Sequence, residues 1–454
     1  MLKLTPHPVC TQLSFQEERA LPWLLDESGL SSNVNAAIAY DARIDEAWLR
    51  HCLEAAAARH EGVRTRFVPT GGTAFQRLVR PADIPNTTLS TRLLDAMPGD
   101  AAVDEALSGF CNRAFRASDE HWLRGLLLHL ADGSSVFAIS MPHIASDAVS
   151  MRLLIRGIWQ DYAALARNRP LRATAPRWTL RDFVGSQRTW ADTDDFRSKF
   201  DALAGQVVHG IGQMHASAPG HEHRALPPRH SVAIRHRFHP ALSDALAALA
   251  RDSRAGLFNV LMAGACLALA RVFGQRQLCL RMPFSNRVVA GSDEIVGFLA
   301  NDVPLFVNID EGTHAAQFLR HVQQGSLSTM RFGAIPWSLL DTHLRTHPVM
   351  AGGNPFDVYL VNVFPPADDL LVDDDPEGRF RARFQPMPLT GFTRNVLKIW
   401  LHSVNGQIGL ILRVGAEQEE VASQHWLPAF LDVFGRLARQ PELALAHLLA
   451  ARPA

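Results

Sequence analysis

The stretch "MPHIASDAVS" occupies residues 141–150 and directly follows the apolar run "SSVFAI". It places His143 where a buried strand ends and Asp147 four residues later. The spacing H-x-x-x-D is weak alone, because a chain with twenty histidines contains about one such pair by chance. Asp147 is a suitable N-cap, and the apolar residues of 148–166 fall on one face of a helix. The stretch therefore predicts a tight strand-to-helix connection that carries His143.

The pattern around this connection predicts a mixed α/β protein. Residues 45–60 have helical spacing, and residues 122–144 indicate two strands joined by the turn "ADGS". A second run of strands and helices begins with the strand-like "SVAIRHRF" at 231–238. The apolar segment 257–273 is too short and interrupted to span a bilayer, so we interpret it as a core helix. The two halves are alike in plan, each with alternating strands and helices.

Composition limits the function classes. A chain of 454 residues is long enough for two or three domains, or for two lobes that share an interface. Lys+Arg and Asp+Glu both total 45, which disfavours nucleic acid and anionic membranes as partners. The five cysteines include no C-x-x-C pair, and the N-terminus has no signal-peptide pattern. We therefore expect a soluble, cytoplasmic protein with reduced thiols.

Six motifs occur in a fixed order along the chain. They are "LSFQEERAL" (13–21), "RHEGVRTRF" (59–67), "MPHIASDAVS" (141–150), "WQDYAAL" (159–165), "SNRVVAGSDEIVGFLANDVPLFVN" (285–308) and "NPFDVYLVN" (354–362). With these motifs the sequence resembles the condensation domains of nonribosomal peptide synthetases, which have the chloramphenicol-acetyltransferase-like fold. The central motif departs from the family pattern M-H-H-x-x-x-D-G-x-S at two positions, where Pro142 replaces the first histidine and Ala148 replaces the glycine.

The resemblance implies the fold class and the division of the chain. The fold class is α/β (α+β, mixed sheet), with two chloramphenicol-acetyltransferase-like lobes in a V and a central tunnel. The expected domains are an N-terminal lobe at 1–178 with the H-x-x-x-D motif, an interlobe segment and linker at 179–230, and a C-terminal lobe at 231–454. The Pro-, Gly- and His-rich residues 218–229 are the expected linker.

The same resemblance implies the chemistry of two residues. A condensation reaction attacks a thioester carbonyl with an amine or hydroxyl, and a neutral imidazole can accept the proton of that nucleophile. His143 is therefore the expected catalytic residue. We expect a structural role for Asp147, because a turn of four residues usually directs the carboxylate away from the imidazole. The expected cation beside Asp147 is Arg287, with Arg64 as the second candidate.

Two further residues are candidates for support. Ala148 still offers a backbone N–H to the expected active site, although its methyl group narrows the space beside His143. Ser150 lies in the first turn of the helix, where it either helps to stabilise an oxyanion or only caps the helix. Both interpretations remain open from the sequence.

The resemblance also implies partners. We expect a free-standing, monomeric acyltransferase without a bound cofactor. Its donor is an acyl group on the phosphopantetheine arm of an acyl or peptidyl carrier protein that docks in trans, and its acceptor is a small-molecule amine or alcohol. The alternatives are a coenzyme A-dependent acyltransferase of the same fold and a catalytically inactive interaction domain. Pro142 and Ala148 are the two residues that would indicate the inactive domain.

A cluster of histidines is a rival signal for a metal site. Imidazoles are common ligands of transition metals. The cluster consists of His209, His215, His221, His223, His230, His236 and His239. No carboxylate or thiolate recurs among them at a fixed ligand spacing, so we expect no functional metal.

Overall fold

The computed structural model describes residues 9–25, 33–71, 74–171, 176–217, 226–227, 229–363, 382–384, 391–393 and 395–450. The strands in these ranges are β1 Val9–Thr11, β2 Asn33–Tyr40, β3 Thr65–Gly71, β4 Ala74–Val79, β5 Thr87–Leu93, β6 Leu123–His129, β7 Ser135–Pro142, β8 Arg229–Arg237, β9 Gln277–Phe284, β10 Asn301–Asn308, β11 Tyr359–Val363, β12 Ala382–Phe384, β13 Gly391–Thr393, β14 Leu397–Val404 and β15 Gln407–Gly415. The α-helices are α1 Phe15–Leu25, α2 Glu46–Arg59, α3 Ala101–Cys111, α4 Ala148–Ala166, α5 Leu180–Ala191, α6 Asp194–Ser217, α7 Pro240–Asp252, α8 Leu257–Phe273, α9 Ala315–Met330, α10 Trp337–Arg345, α11 Glu419–Val421, α12 Leu427–Arg439 and α13 Leu445–Leu449.

The chain divides into two compact units. Unit 1 comprises Met1–Thr193, Ser285–Ala300 and Leu370–Gly391, and unit 2 comprises the rest of the chain. This division differs from the contiguous boundaries that the sequence predicts. Ser285–Ala300, which we call the insertion loop, belongs to unit 1 although its flanking strands β9 and β10 pair with each other in unit 2. Helix α6 also belongs to unit 2 and not to a linker.

Unit 1 contains a mixed sheet of five strands in the order β12-β2-β7-β6-β5. Strands β5 and β6 are parallel, and the other neighbours are antiparallel. Strands β6 and β7 are buried along their whole lengths, and helices α2 and α4 pack against each other over the core. Because the central strand β7 runs into α4, the residues between them lie at the end of a rigid strand.

Unit 2 contains a mixed sheet of seven strands in the order β10-β9-β11-β14-β15-β8-β13. Helix α8 is almost wholly buried against this sheet and packs between α7, α9 and α12. A Cβ atom at Gly264 of α8 would lie 2.2 Å from the ring of Phe434, so the glycine lets α12 approach closely. Helix α6 approaches the opposite face of the sheet, where Gly210 touches the ring of Phe306.

The two mixed sheets and their covering helices confirm the predicted α/β class. The predicted helices at 45–60 and 257–273 form, and so does the hairpin β6–β7, with Gly133 in the left-handed region at φ 82°. The predicted linker 218–229 lies mostly outside the described residues. No single described helix is long and apolar enough to cross a membrane, although the bent pair α7 and α8 together meets that length and composition.

Candidate active site

Strand β7 ends at Pro142, and the chain then makes one 3-10 turn over His143–Ala145 before α4 begins. Proline suits position 142 for two reasons. The pairing of β7 with β6 stops before this residue, so the missing N–H of proline costs no hydrogen bond to β6. The φ of Pro142 is −67°, which fits the turn that follows. The turn is closed by Ser146, whose hydroxyl donates to the carbonyl oxygen of Pro142 at 3.0 Å. His143 is therefore fixed by backbone geometry at the end of a central strand.

The imidazole of His143 is held by two aromatic rings. The ring of Phe298, from the insertion loop, lies edge-to-face with its centroid 4.6 Å away, and the ring of Trp23, from α1, lies at 5.9 Å. The Nδ1 atom is buried and has no hydrogen-bond partner among the described residues. The Nε2 atom has no described partner either, but it is not buried. The ring is thus oriented by packing, with one nitrogen accessible.

Burial lowers the pKa of His143 below its ordinary value, because a charged ring loses its hydration there. The backbone group of His143 itself, the charge of Asp147 and the backbone group of Ser146 act against this shift, whereas the nearby charge of Arg19 acts in the same direction as burial. The imidazole is therefore mostly neutral at pH 7. A neutral ring with an accessible nitrogen can accept a proton.

Asp147 has the opposite surroundings. Its side chain is buried, and it accepts hydrogen bonds at both oxygens. Oδ1 accepts from the N–H and the hydroxyl of Ser150, at 2.8 and 2.7 Å. Oδ2 accepts from the N–H groups of Leu299 and Ala300, at 3.1 and 3.0 Å. None of the hydrogen bonds that Asp147 accepts in the described structure comes from His143.

Arg287 completes the surroundings of Asp147. Its two terminal nitrogens donate in parallel to the two carboxylate oxygens, at 2.8 and 2.9 Å, and both side chains are almost fully buried. This is the bidentate geometry in which guanidinium and carboxylate groups bind most strongly. Burial alone would raise the pKa of Asp147, but Arg287 and the hydrogen bonds from Ser150 lower it below its ordinary value. The pair is therefore charged and structural.

Ser150 links α4 to the insertion loop. Its hydroxyl accepts from the N–H of Gly297 at 3.0 Å and lies 2.8 Å from the carbonyl oxygen of the same residue. It also accepts from Arg287 at 3.1 Å. Both the N–H and the hydroxyl of Ser150 are therefore occupied, and the side chain is fully buried. Of the two roles that the sequence left open, the structure favours a capping and bridging role and leaves no donor of Ser150 for an oxyanion.

The insertion loop is shaped to bring these groups together. Asn286 has a φ of 56° and donates from its side chain to the carbonyl oxygen of Leu299 at 3.0 Å, which ties the two ends of the loop. Gly62 lies below the loop, where a Cβ atom would be 2.1 Å from the carbonyl oxygen of Val296. A side chain at Gly62 would therefore displace the loop that carries Arg287.

The other two predicted residues lie differently. Ala148 is exposed at the first position of α4, and its N–H has no acceptor among the described residues. Arg64 is not a partner of Asp147, which corrects the second candidate. Its guanidinium donates to the carbonyl oxygens of Ala57 and Arg80, beside the 3-10 turn that follows α2. It therefore fastens that turn to the end of β4.

Sequence reasoning missed Trp23 and Phe298. Phe298 lies inside the motif at 285–308, and Trp23 lies two residues after the motif at 13–21, but an aromatic residue in such a stretch predicts only a packed core. The histidine cluster is a separate prediction. Among the described residues there is no group of three or more ligating side chains that could hold a metal. His221 and His223 of the cluster lie outside the described residues.

A family model described as "Condensation domain" matches residues 13–385. The chain belongs to the condensation domain family. Among curated relatives, malpibaldin synthetase of Mortierella alpina is 25% identical over 334 residues, which make up 72% of this chain and 6% of that protein. The phosphinothricin tripeptide synthetase PhsC of Streptomyces viridochromogenes is 28% identical over 362 residues, which make up 77% of this chain and 32% of that protein. This condensation domain therefore spans only a small part of these relatives.

Solved structures show the same fold. The first condensation domain of the calcium-dependent antibiotic synthetase, in complex with a substrate analogue, matches with a TM-score of 0.80 and 19% identity over 98% of this chain and 99% of that one. Within this condensation domain, Pro142 occupies the position of the family's first histidine without distorting β7, whose pairing with β2 continues to Asn33 opposite Pro142. The departure at Pro142 therefore leaves the pairing of β7 with β2 intact up to the residue before His143.

Proposed function

We propose that the protein transfers an acyl group from a thioester to an amine or hydroxyl acceptor, and so forms an amide or an ester. The acyl donor is carried on the phosphopantetheine arm of a carrier protein. The observation that supports this most is the neutral, accessible imidazole of His143, held by Trp23 and Phe298 while the neighbouring carboxylate is fully occupied by Arg287. Such a base activates an external nucleophile and is not itself part of a hydrogen-bonded triad.

In this mechanism, Nε2 of His143 accepts the proton of the amine or hydroxyl as the nucleophile forms its bond to the thioester carbonyl carbon. The tetrahedral intermediate then collapses, and the carbon–sulfur bond breaks. The thiolate of the phosphopantetheine arm leaves and takes the proton back from Nε2, so the imidazole ends neutral. His143 thus moves one proton and forms no covalent bond.

The developing negative charge on the carbonyl oxygen needs donors. The N–H of Ser150 is occupied by Asp147, whereas the N–H groups of Ala148 and Val149 have no acceptor among the described residues. These are the first backbone donors of a 19-residue helix, whose N-terminus carries partial positive charge. We assign the stabilisation of the oxyanion to this end of α4.

The donor carrier lies outside these 454 residues, because the sequence has no carrier-serine motif of the type GGxS. We propose that the carrier protein acts in trans. The test is a single-turnover assay with the purified chain and separately purified acyl-carrier protein, acyl-coenzyme A as the rival donor, and a panel of amines and alcohols. Intact-protein mass spectrometry of the carrier measures the loss of the acyl group, and the product is measured separately.

Acyl transfer from the carrier to an acceptor at a rate well above transfer from acyl-coenzyme A supports the proposal. Equal rates with both donors would show a coenzyme A-type acyltransferase instead. A folded protein that transfers no acyl group from either donor to any acceptor would show an inactive interaction domain. Loss of the acyl group to water alone, at a rate that His143→Ala does not change, would also contradict the proposal.

A further inference from the structure

A surface cavity lies at the edge of the five-stranded sheet of unit 1. Its volume is about 460 Å³, which is in the usual range for a small-molecule site. It lies between the segment that leads into α2 and the ends of β5 and β6, and its lining residues are Arg43, Ile44, Asp45, Glu46, Thr91, Leu93 and His129. Strand β7 starts beside this cavity and ends eight residues later at the turn that carries His143, so the two places are more than about 20 Å apart.

His129 presents an N–H group to this cavity. Its side chain is only 6% exposed, and its Nδ1 lies 3.2 Å from the hydroxyl of Ser135, which itself accepts from the N–H of Ile44 at 3.1 Å. The hydroxyl hydrogen of Ser135 has no other acceptor among the described residues, so it is donated to Nδ1, and the proton of the neutral ring is on Nε2. Nε2 is not enclosed and has no described partner. Burial and the charge of Arg43 lower the pKa of His129 against the smaller effect of Glu46, so the ring is neutral at pH 7.

Two opposite charges stand beside this N–H without pairing with each other. Ile44 is buried whereas Arg43 and Asp45 are exposed, which is the alternation of an extended segment, so these two side chains point to the same side. Arg43 makes no hydrogen bond or ion pair with any described residue. Oδ1 of Asp45 accepts from the N–H of Trp48 at 2.9 Å and caps α2, and Oδ2 has no donor among the described residues. The cavity therefore offers one cation and one carboxylate oxygen for a ligand.

The remaining charge of the lining is already compensated. The carboxylate of Glu46 pairs with Arg50 at 2.6 Å. The two arginines and the two acidic residues of this region, Arg43, Arg50, Asp45 and Glu46, thus add up to no net charge. An anion would bring a second negative charge beside Asp45, and a cation would bring a second positive charge beside Arg43. A ligand that carries both charges and is neutral as a whole avoids both repulsions.

We propose that this cavity binds a free α-amino acid in its zwitterionic form. The carboxylate of the amino acid accepts from the guanidinium of Arg43 and from Nε2–H of His129, and its ammonium group donates to Oδ2 of Asp45. Such hydrogen bonds between charged groups are the strong ones. Leu93, which is 72% exposed at the end of β5, offers an apolar contact to the side chain of the ligand. An amino acid with a branched apolar side chain should therefore bind more tightly than glycine.

The experiment is calorimetric titration of the full chain with L-leucine at pH 7.0. Three further compounds each remove one group of the ligand. N-acetyl-L-leucine keeps the carboxylate without the ammonium charge, L-leucinamide keeps the ammonium group without the carboxylate, and glycine lacks the apolar side chain. Together they test each contact of the proposed site.

Four variants test the residues. Arg43→Met removes the cation, and Asp45→Asn removes the carboxylate charge but keeps a good N-cap for α2. His129→Phe removes the buried N–H. Arg92→Met is the matched control, because Arg92 is an exposed arginine of β5 whose side chain points to the face of the sheet opposite to that of Leu93.

We expect saturable binding of leucine in the wild type and in Arg92→Met. Arg43→Met, Asp45→Asn, His129→Phe and the two blocked compounds should each weaken it by about tenfold or more, which is the typical loss for one hydrogen bond to a charged group. Arg43 and Asp45 are exposed, so their variants remain decisive if His129→Phe fails to fold.

Absence of saturable leucine binding to the wild type would overturn the proposal. So would equal affinity for N-acetyl-L-leucine or L-leucinamide, since a zwitterion would then not be required. Unchanged leucine binding in Arg43→Met would also overturn it, because the amino acid would then be bound elsewhere, for example as an amine acceptor beside His143. Equal affinity for glycine would contradict the contact with Leu93.

Discussion

His143 and Asp147 lie four positions apart in the chain, and the two side chains have opposite surroundings. Asp147 accepts hydrogen bonds at both oxygens and forms a bidentate ion pair with Arg287. His143 is packed between Trp23 and Phe298 with a buried nitrogen that has no described partner. The first arrangement holds a charge in place, and the second keeps a ring neutral.

The difference separates stability from reactivity. Both oxygens of Asp147 already accept hydrogen bonds, so this carboxylate has no acceptor position left for a substrate. Its interactions instead stabilise the packing of the insertion loop against α4. A neutral ring with an accessible nitrogen contributes little to folding and can exchange a proton. Substitutions in the two regions should therefore affect different observables.

The largest effect is expected on turnover. His143→Ala should lower the rate of acyl transfer by about 10²–10⁴-fold, because general-base help is typically of that size. The melting temperature should stay close to that of the wild type. An alcohol acceptor should lose most, since an amine that is already deprotonated at the assay pH needs the base least. Single-turnover rates with both acceptors measure this.

The matched control is His51→Ala, an exposed histidine on α2 in the same unit. It should leave turnover unchanged. Near wild-type turnover of His143→Ala with the natural acceptor would mean that positioning alone explains catalysis.

The next effect is expected on stability. Asp147→Ala or Arg287→Met should each lower the free energy of unfolding by roughly 3–5 kcal/mol, because each leaves an uncompensated buried charge. The double variant should lose much less than the sum of the two, since it leaves no charge behind. Urea denaturation of the four proteins measures the cycle. Normal stability of Asp147→Ala with no turnover would instead indicate that Asp147 orients the imidazole directly.

A smaller loss of stability is expected at Ser150. Ser150→Ala removes the acceptor of the Gly297 N–H, and a buried donor without a partner costs about 1–3 kcal/mol. Ser186→Ala on the exposed face of α5 is the matched control and should change stability by about 0.5 kcal/mol or less. Denaturation midpoints decide this, and equal values for the two variants would contradict the bridging role of Ser150.

The smallest effect is expected in the pH profile. The neutral ring is the active form, so kcat/KM should fall only as the pH drops below the ordinary histidine value of about 6.5. Trp23→Ala admits water to the ring, which moves the pKa back toward that value and shifts the acid limb to higher pH. The rate at pH 7.5 should change little, because about nine tenths of the rings would still be neutral there. An acid limb that shifts to lower pH would contradict burial as the cause.

The sequence predicted the parts of the site that depend on local pattern. The N-cap at Asp147 follows from an oxygen-bearing side chain before an amphipathic helix, and the pairing with Arg287 was implied by the family resemblance. The aromatic pocket of His143 could not be predicted, because Trp23 and Phe298 are far apart in the chain and neither has a local signature. The role of Ser150 stayed open for the same reason, since it depends on Gly297.

The domain division shows the same limit. The composition of the chain predicts domains that each consist of one continuous segment. The insertion loop instead belongs to unit 1, although the hairpin of β9 and β10 that it connects belongs to unit 2. Helix α6 was not predicted, although its buried residues Leu203, Val207, Ile211 and Met214 recur at helical spacing; its three glycines lower the helix propensity of the segment. The packing against Phe306 explains the glycine at position 210, whereas a Cβ atom at Gly205 or Gly212 would meet nothing within 4 Å.

The insertion loop also sets the order in which the protein can mature on the ribosome. Asp147 and Arg287 are 140 residues apart in sequence. At synthesis rates of about 5–20 residues per second, the carboxylate is made roughly 7–28 seconds before its cation. During that interval the nascent N-terminal half has every strand from β1 to β7, but Asp147 has only Ser150 as a partner and no cation. The turn that carries His143 can therefore reach its final geometry only after the hairpin of β9 and β10 has been synthesised, which makes its assembly a late event in folding.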